Sequence, residues 1–351
     1  MKKKFFEYAL PIIVAGFTLF LMDFALNIAI KNGIGDFLWQ KESLSQTIDF
    51  AHYDAAADRT RWKTRIEEVG PEHASKELKT EYSSISDFRI QHTAAHVFGE
   101  LLYSELGLKG IAFCDSAFNY GCYHAFFGKA LATEGLVIFS KVPGMCKDSG
   151  KAEANCYHGA GHGLVAFLGY EEKDLARALE ECALFPAART GACDEGVFME
   201  YNFQLMRHGP NIFLGGIRPL EKDPYLPCSS LPQKFGTACY FSQADWWGSV
   251  FKGDYKKVGG LCATLTESER AQCFRGVGKK IVWLSPEKTD QAIRICDAMP
   301  GYLNSLMCRS GAATAIHGRT GDQNLASRVC DGLNPADTTL CMESLSAYLG
   351  N

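Results

Sequence analysis

The chain has 351 residues, of which 47% are hydrophobic and 22% are charged, a composition typical of globular proteins. The net charge is only -4, and the basic residues are scattered rather than gathered in a stripe, so no nucleic-acid partner is expected. The fourteen cysteines agree with export, because an even, high count outside the cytosol indicates a disulfide framework, whereas in a cytosolic enzyme it would indicate metal or redox chemistry.

The N-terminal segment predicts a membrane anchor. Three lysines precede a mostly apolar run over residues 8–30, which is long enough to cross a bilayer as a helix. The basic flank predicts that residues 1–7 are cytoplasmic and that the body is periplasmic, extracellular or lumenal. No small-x-small site follows the run cleanly, which favours an uncleaved signal-anchor. Asp23 would be costly at membrane depth, so a cleaved signal peptide remains the alternative.

The cysteines reveal an internal repeat. Second members of successive close pairs are 34, 37, 46, 34, 35 and 33 residues apart, the period of a two-helix repeat. Helical stretches such as "EEKDLARALEEC" precede the first cysteine of a pair, and others such as "CDEGVFMEYNFQLM" follow the second. We therefore predict an all-α, α/α solenoid of about eight hairpins. Seven would be braced by local disulfides, namely Cys114–Cys122, Cys146–Cys156, Cys182–Cys193, Cys228–Cys239, Cys262–Cys273, Cys296–Cys308 and Cys330–Cys341.

The repeat also has a fixed small position, three residues after each second cysteine. A small side chain at one recurring position predicts close packing between successive helices. A cysteine-free copy, "IQHTAAHVFGELL", aligns without a gap on "CYHGAGHGLVAFL" and places the first repeat near residue 85. The repeat domain is thus predicted over residues 85–351, and residues 31–84 are expected to form a polar, partly helical stalk. The seven small residues are Ala125, Gly159, Gly196, Ser242, Gly276, Gly311 and Ser344.

This organisation resembles the disulfide-clamped two-helix repeats of exported Sel1-like and TPR-like proteins. The resemblance covers residues 85–351 and concerns the local cysteine pairs and the hairpin period, whereas the Sel1-type spacing of Ala, Gly and Leu is not well matched. It implies a stacked helical scaffold. It implies no particular function, because one scaffold of this kind serves many.

Five histidines are concentrated in the first repeats. Two pairs are spaced four apart, which places both rings of each pair on one helix face, where they could chelate one metal ion. A fifth histidine lies between the pairs, and Gly128 leaves room beside it, with Glu100 or Glu200 available as a carboxylate ligand. Such ligands suit zinc, iron, manganese or copper. The predicted metal ligands are His92, His96, His124, His158 and His162.

Two functions of different class follow from this pattern. The first is a metal-dependent hydrolase or oxidoreductase in which Glu200 or Glu195 moves protons. The second is a non-catalytic solenoid that binds a peptide, a glycan or a partner protein on its face. In the second case the histidines form a polar stacking row or a pH-sensitive surface.

Overall fold

The computed structural model describes residues 50–149, 153–206, 216–283 and 285–349. All regular elements in these ranges are helices, and no strand occurs there. The described residues other than 84–86 belong to one compact unit, Asp49–Ser83 with Asp87–Asn351. The predicted anchor over residues 8–30 lies outside the described residues. Within them, no helix is both long and apolar enough to cross a bilayer.

The unit begins with a helical hairpin, α1 (Ala55–Val69) and α2 (Pro71–Tyr82). Gly70, at φ 81°, ends α1, because its backbone takes a conformation that few side chains tolerate. Trp62 of α1 is 2% exposed and its ring meets that of Phe98 edge-on at 6.1 Å. The part of the predicted stalk that the structure describes is therefore helical, and it packs against the first helix of the repeat region.

The repeat region contains long helices joined by shorter elements. Its long helices lie side by side in chain order, each in contact with the next, and they form an inner layer. In chain order the helices are α3 (Phe88–Leu106), α4 (Gly121–Glu134), α5 (Val142–Asp148), α6 (Glu153–Leu168), α7 (Glu172–Cys182), α8 (Ala187–Phe203), α9 (Gly236–Val250), α10 (Tyr255–Ala263), α11 (Glu267–Val282), α12 (Thr289–Asp297), α13 (Tyr302–Thr320), α14 (Gln323–Ser327) and α15 (Pro335–Leu349). The inner layer consists of α3, α4, α6, α8, α9, α11, α13 and α15.

All seven predicted disulfides are confirmed. Their Cα–Cα distances lie between 5.4 and 6.1 Å, and they leave no cysteine unpaired. Each joins an outer segment to the first or second turn of the inner helix that follows. The outer segments are less regular than predicted, because the one before α4 is the 3-10 helix Gly107–Phe113 and the one before α9 consists of turns.

The glycines at the small position bring neighbouring inner helices into backbone contact. A Cβ atom added to Gly196 of α8 would overlap the carbonyl oxygen of His158 on α6. Gly276 of α11 faces the carbonyl oxygen of Phe241 on α9 in the same way. The close packing predicted from the sequence is therefore present, and a methyl group at these positions would force the helices apart.

The inner layer is curved, so that its seventh helix, α13, lies close to its first helix, α3. Arg319 of α13 donates a hydrogen bond to Asn119 Oδ1, just before α4, over 3.4 Å and 200 positions of sequence. The same guanidinium lies 5.8 Å from the ring centre of Phe88 on α3. The curled layer surrounds a cavity of about 720 Å³ whose lining residues come from α3 through α13. This cavity is called the central cavity below.

The glycine contacts give a test of the packing. Gly276→Ala should lower the free energy of unfolding by about 1 to 3 kcal/mol, because the new methyl group meets backbone that cannot move aside. Equilibrium denaturation with guanidinium chloride, with the disulfides intact, measures the change.

Gly260→Ala is the matched control. Gly260 lies in α10, is exposed, and has no atom within 4 Å of an added Cβ. Alanine there should raise the stability by up to about 1 kcal/mol through the better helix propensity. An equal response of the two variants would contradict the packing account.

Candidate metal centre

The five predicted metal ligands come together in one buried group, called the histidine cluster below. His158, the most exposed of the five, is 8% exposed. The ring centres of His92 and His124 are 5.3 Å apart, and those of His124 and His158 are 5.5 Å apart, so successive inner helices place them in a row. The cluster consists of His92 and His96 on α3, His124 on α4, and His158 and His162 on α6.

Each pair spaced four apart brings two ring nitrogens face to face. The Nε2 atoms of His92 and His96 are 3.1 Å apart, and those of His158 and His162 are also 3.1 Å apart. His92 donates its Nδ1 proton to the Phe118 carbonyl oxygen over 2.7 Å, so in the neutral ring the Nε2 lone pair points toward His96. Two nitrogens that bind one ion tetrahedrally at about 2.1 Å lie about 3.4 Å apart. The separation in each pair is close to that value.

His124 belongs to both halves of the cluster. Ligand atoms of His92, His96 and His124 lie within 4.8 Å of one another, and so do those of His124, His158 and His162. Both ring nitrogens of His124 are buried and have no hydrogen-bond partner among the described residues. Burying unpartnered nitrogens is costly. A metal ion in either triad would satisfy one of them, so the donor set fits a metal.

Burial lowers the pKa of every imidazole in the cluster. It lowers the pKa of His92 and of His158 to about 4 and holds those of the other three well below the usual value. The cause is desolvation, which disfavours the charged ring. The rings are therefore neutral near pH 7, the form in which histidine binds metals.

Glu200 holds His162 from behind. It is fully buried, and its Oε2 accepts a hydrogen bond from Nδ1 of the neutral His162 over 2.9 Å. Its Oε1 accepts from the Tyr170 hydroxyl over 2.6 Å and from the Met206 N–H over 2.8 Å. Burial raises the pKa of Glu200 to about 7, although these last two bonds oppose the rise. Both carboxyl oxygens of Glu200 therefore already accept hydrogen bonds. The bond from His162 fixes the orientation of that ring.

Two other sequence expectations are not met. Glu100, the other predicted source of a carboxylate ligand, pairs with Arg59 and belongs to neither triad. The space expected beside Gly128 is covered by Met206, whose Sδ lies 3.3 Å from the position of an added Cβ. Donors within the two triads are therefore nitrogens only.

Glu195 lies in the wall of the central cavity, next to the row of histidines. It forms an ion pair with Lys279, and its side chain is 31% exposed. Burial opposes its ionisation, but the lysine charge outweighs burial, so the pKa of Glu195 is lowered. Nearby, Lys280 pairs with Asp245 over 2.8 Å. Glu195 is therefore an ionised carboxylate that a molecule in the cavity could reach.

The central cavity gives access to the histidine cluster. Its volume of about 720 Å³ is within the usual range for small-molecule sites. His92, His124 and His158 form part of one wall. The remaining wall is largely apolar and aromatic, with residues such as Phe241 and Trp283. A molecule in this cavity would meet the imidazoles directly.

Some residues that shape the site were not found from the sequence. Phe118, Asn119 and Tyr120 have φ of 52°, 53° and 62°, and this left-handed stretch directs the Phe118 carbonyl to His92. The asparagine was the one local signal, because it tolerates this conformation better than most residues. Nothing in the spacing pointed to Tyr170, in the connection between α6 and α7, or to Lys279, on α11.

Comparison of the chain with models of known protein families, with curated proteins and with solved structures found no match. The conclusions below therefore rest on the geometry of this chain alone.

The buried histidines predict loss of stability in acid for the metal-free protein. The unfolded chain gains protons on five histidines near pH 6.5, whereas burial holds the folded-state pKa of all five well below that value, at about 4 for His92 and His158. Asp194 and Glu200, whose pKa burial raises to about 7, act in the opposite direction, since the folded state holds those protons. A net of about three protons favours unfolding, so stability should fall by up to about 4 kcal/mol per pH unit between pH 6 and 5.

Guanidinium denaturation at pH 7, 6 and 5, in the presence of a chelator, measures this slope. His73→Ala, which removes an exposed histidine of α2, should leave the slope unchanged. A stability that is flat between pH 6 and 5 would show that the cluster is not buried as neutral imidazoles.

Proposed function

We propose that this chain is a metal-dependent enzyme whose histidine cluster binds one or two transition-metal ions in the wall of a substrate cavity. The observation that carries the proposal is the pair of buried imidazole triads, which share His124 and face the central cavity. Both nitrogens of the shared His124 are buried without a hydrogen-bond partner among the described residues, which is costly unless a ligand satisfies them. The triads lie at a cavity of small-molecule size, so a metal ion bound there would also meet a molecule in the cavity.

The donor set narrows the choice of metal. Imidazole suits zinc, copper and iron, whereas manganese prefers carboxylate and carbonyl oxygens. Since the triads contain nitrogen donors only, zinc, copper or iron is favoured over manganese. One ion would occupy either triad. Two ions would require both nitrogens of His124, which would then lose its ring proton.

We favour a hydrolytic reaction. The three neutral imidazoles of one triad would hold a zinc ion with an open coordination position, where the ion would supply an acidified water molecule. Glu195, ionised and at the cavity wall, is the residue placed to accept a proton from a molecule in the cavity. Glu200 would act as a positioning residue through His162, because it does not line the cavity. A copper or iron ion at the same site would instead indicate an oxidoreductase.

A non-catalytic binding protein is the second candidate. The observation that favours it is the central cavity itself, whose aromatic wall is suited to hold a small ligand with or without a metal. This candidate gains support if the protein binds no metal. The larger peptide, glycan or protein ligands expected from the solenoid class would then be tested against the same wall.

Export and membrane anchoring belong to the same proposal. Seven disulfides with no free cysteine support an oxidising compartment, such as the bacterial periplasm, the extracellular space or an organelle lumen. The anchor over residues 8–30 would hold the enzyme at the membrane surface, with residues 1–7 in the cytoplasm.

Metal content is the direct test of the proposed function. The full chain, purified oxidised and without a histidine tag, should contain near-stoichiometric zinc, copper or iron by plasma mass spectrometry. The double variant His158→Ala with His162→Ala should lose most of it, and His73→Ala should retain it. A wild-type chain that stays metal-free after incubation with each ion would overturn the metalloenzyme.

Glu200→Gln tests the positioning role. Glutamine keeps the size of the side chain and removes its charge, so the affinity for the metal should fall by about 10- to 100-fold while the fold is retained. Competition with a chromogenic chelator measures the affinity. Glu100→Gln is the control, since Glu100 lies outside both triads and should leave the affinity unchanged.

A further inference from the structure

A second, polar chamber adjoins the central cavity. Its volume is about 410 Å³, and Tyr120, Asn155 and Gly318 line both spaces. Its other lining residues include Ser116, His317 and Arg319, and the exposed Thr320 lies at its rim. Hydroxyl, amide, imidazole and guanidinium groups thus surround this chamber, in contrast to the mainly apolar wall of the central cavity.

Arg319 is a cation that forms no close ion pair, although the charge of the more distant Glu287 acts on it. Its guanidinium lies 5.6 Å from the ring centre of Trp283 and 5.8 Å from that of Phe88, and it donates a hydrogen bond to the amide oxygen of Asn119. Within the described part of the chain, no carboxylate lies within ion-pair distance of it. Burial lowers the pKa of Arg319, but an arginine keeps its charge in proteins. The charge is therefore partly desolvated and can accept an anionic partner.

His317 adds a second polar group on the same helix. Its Nδ1 is buried and has no hydrogen-bond partner in the described ranges. It lies two residues before Arg319 on α13, and both residues line the polar chamber. A ligand with oxygen acceptors could use the guanidinium and the neighbouring amide and hydroxyl donors together.

The chamber is connected to the histidine cluster through one aromatic ring. The ring of Phe88 lies 5.6 Å from that of His92, and its other neighbour is the Arg319 guanidinium. A molecule that extends along this ring would have one end at Arg319 and the other at the imidazoles. Its middle would contact the apolar part of the central cavity, which includes Met199, Phe203, Leu205 and Phe241.

We infer that the polar chamber binds the anionic oxyacid group of an amphipathic substrate, a carboxylate or a phosphate, whose apolar part occupies the central cavity. The reacting group of the substrate would then face the histidine cluster. The anion site itself stands on Arg319 and its surroundings, and only the link to a reaction rests on the proposed function.

The test uses soluble probes and the full chain, stripped of metal so that an acid cannot bind through an ion. 4-Phenylbutyrate and 4-phenylbutyl phosphate are compared by calorimetry with the uncharged 4-phenylbutanol. At least one acid should bind ten times more tightly than the alcohol, and the tighter of the two identifies the oxyacid. Equal affinity of the wild-type protein for the acids and the alcohol would overturn the inference.

Arg319→Met should abolish the preference for the acid while retaining alcohol binding, and Arg319→Lys should keep part of it. Arg328→Met is the control, since Arg328 is a half-exposed arginine outside both cavities. Retention of the preference in a folded Arg319→Met protein would overturn the inference. If that variant does not fold, Asn155→Asp is the second test. It adds a negative charge to the chamber and should weaken binding of the acids but not of the alcohol. An unchanged preference would again overturn the inference.

These measurements are independent of metal content. If the protein prefers the acid but binds no metal, the anion site is supported and the proposed metalloenzyme is contradicted. If the protein binds metal but does not prefer the acid over the alcohol, the proposed metalloenzyme is supported and the anion site is contradicted.

Discussion

The site depends on backbone-to-backbone contact between neighbouring inner helices. Because Gly196 has no side chain, α8 approaches α6 until its Cα meets the carbonyl oxygen of His158. That approach lets Glu200 of α8 reach His162 of α6 with a hydrogen bond of 2.9 Å. Larger side chains at the small position would separate the helices, and the imidazole rows would no longer meet.

The close packing of the inner helices also buries ionisable side chains at the centre of the fold. Five imidazoles are buried, three of them in the wall of the central cavity, and burial lowers the pKa of each, so none is charged near pH 7. The outer nitrogens of His92 and His162 are fixed by the hydrogen bonds that they donate to the Phe118 carbonyl and to the Glu200 carboxylate. The inner nitrogens face each other in pairs 3.1 Å apart, and only His124 has two buried nitrogens without a hydrogen-bond partner among the described residues, so the cluster fits a metal better than a packing row.

Disulfides and curvature provide the rigid frame around this centre. Each local bridge fixes the start of an inner helix, and the loops that they close are short, so their effect is on each hairpin rather than on the whole layer. The curl of the layer then brings α13 opposite α3. It unites Glu195 with Lys279 across 84 positions and places Arg319 beside Phe88. The cavity, its ion pairs and its polar chamber all result from this return.

The sequence by itself determined whatever is local. The period of the cysteine pairs identified the repeat and all seven bridges, because each bridge spans only 8 to 12 residues. Spacing by four along a helix identified the two histidine pairs, and register between repeats placed His124 between them. Only the tertiary structure decided that Glu200 supports His162, that Lys279 pairs with Glu195 and that Arg319 meets Asn119. These contacts depend on small rotations that accumulate over several stacked helices, and no local pattern of residues encodes their sum.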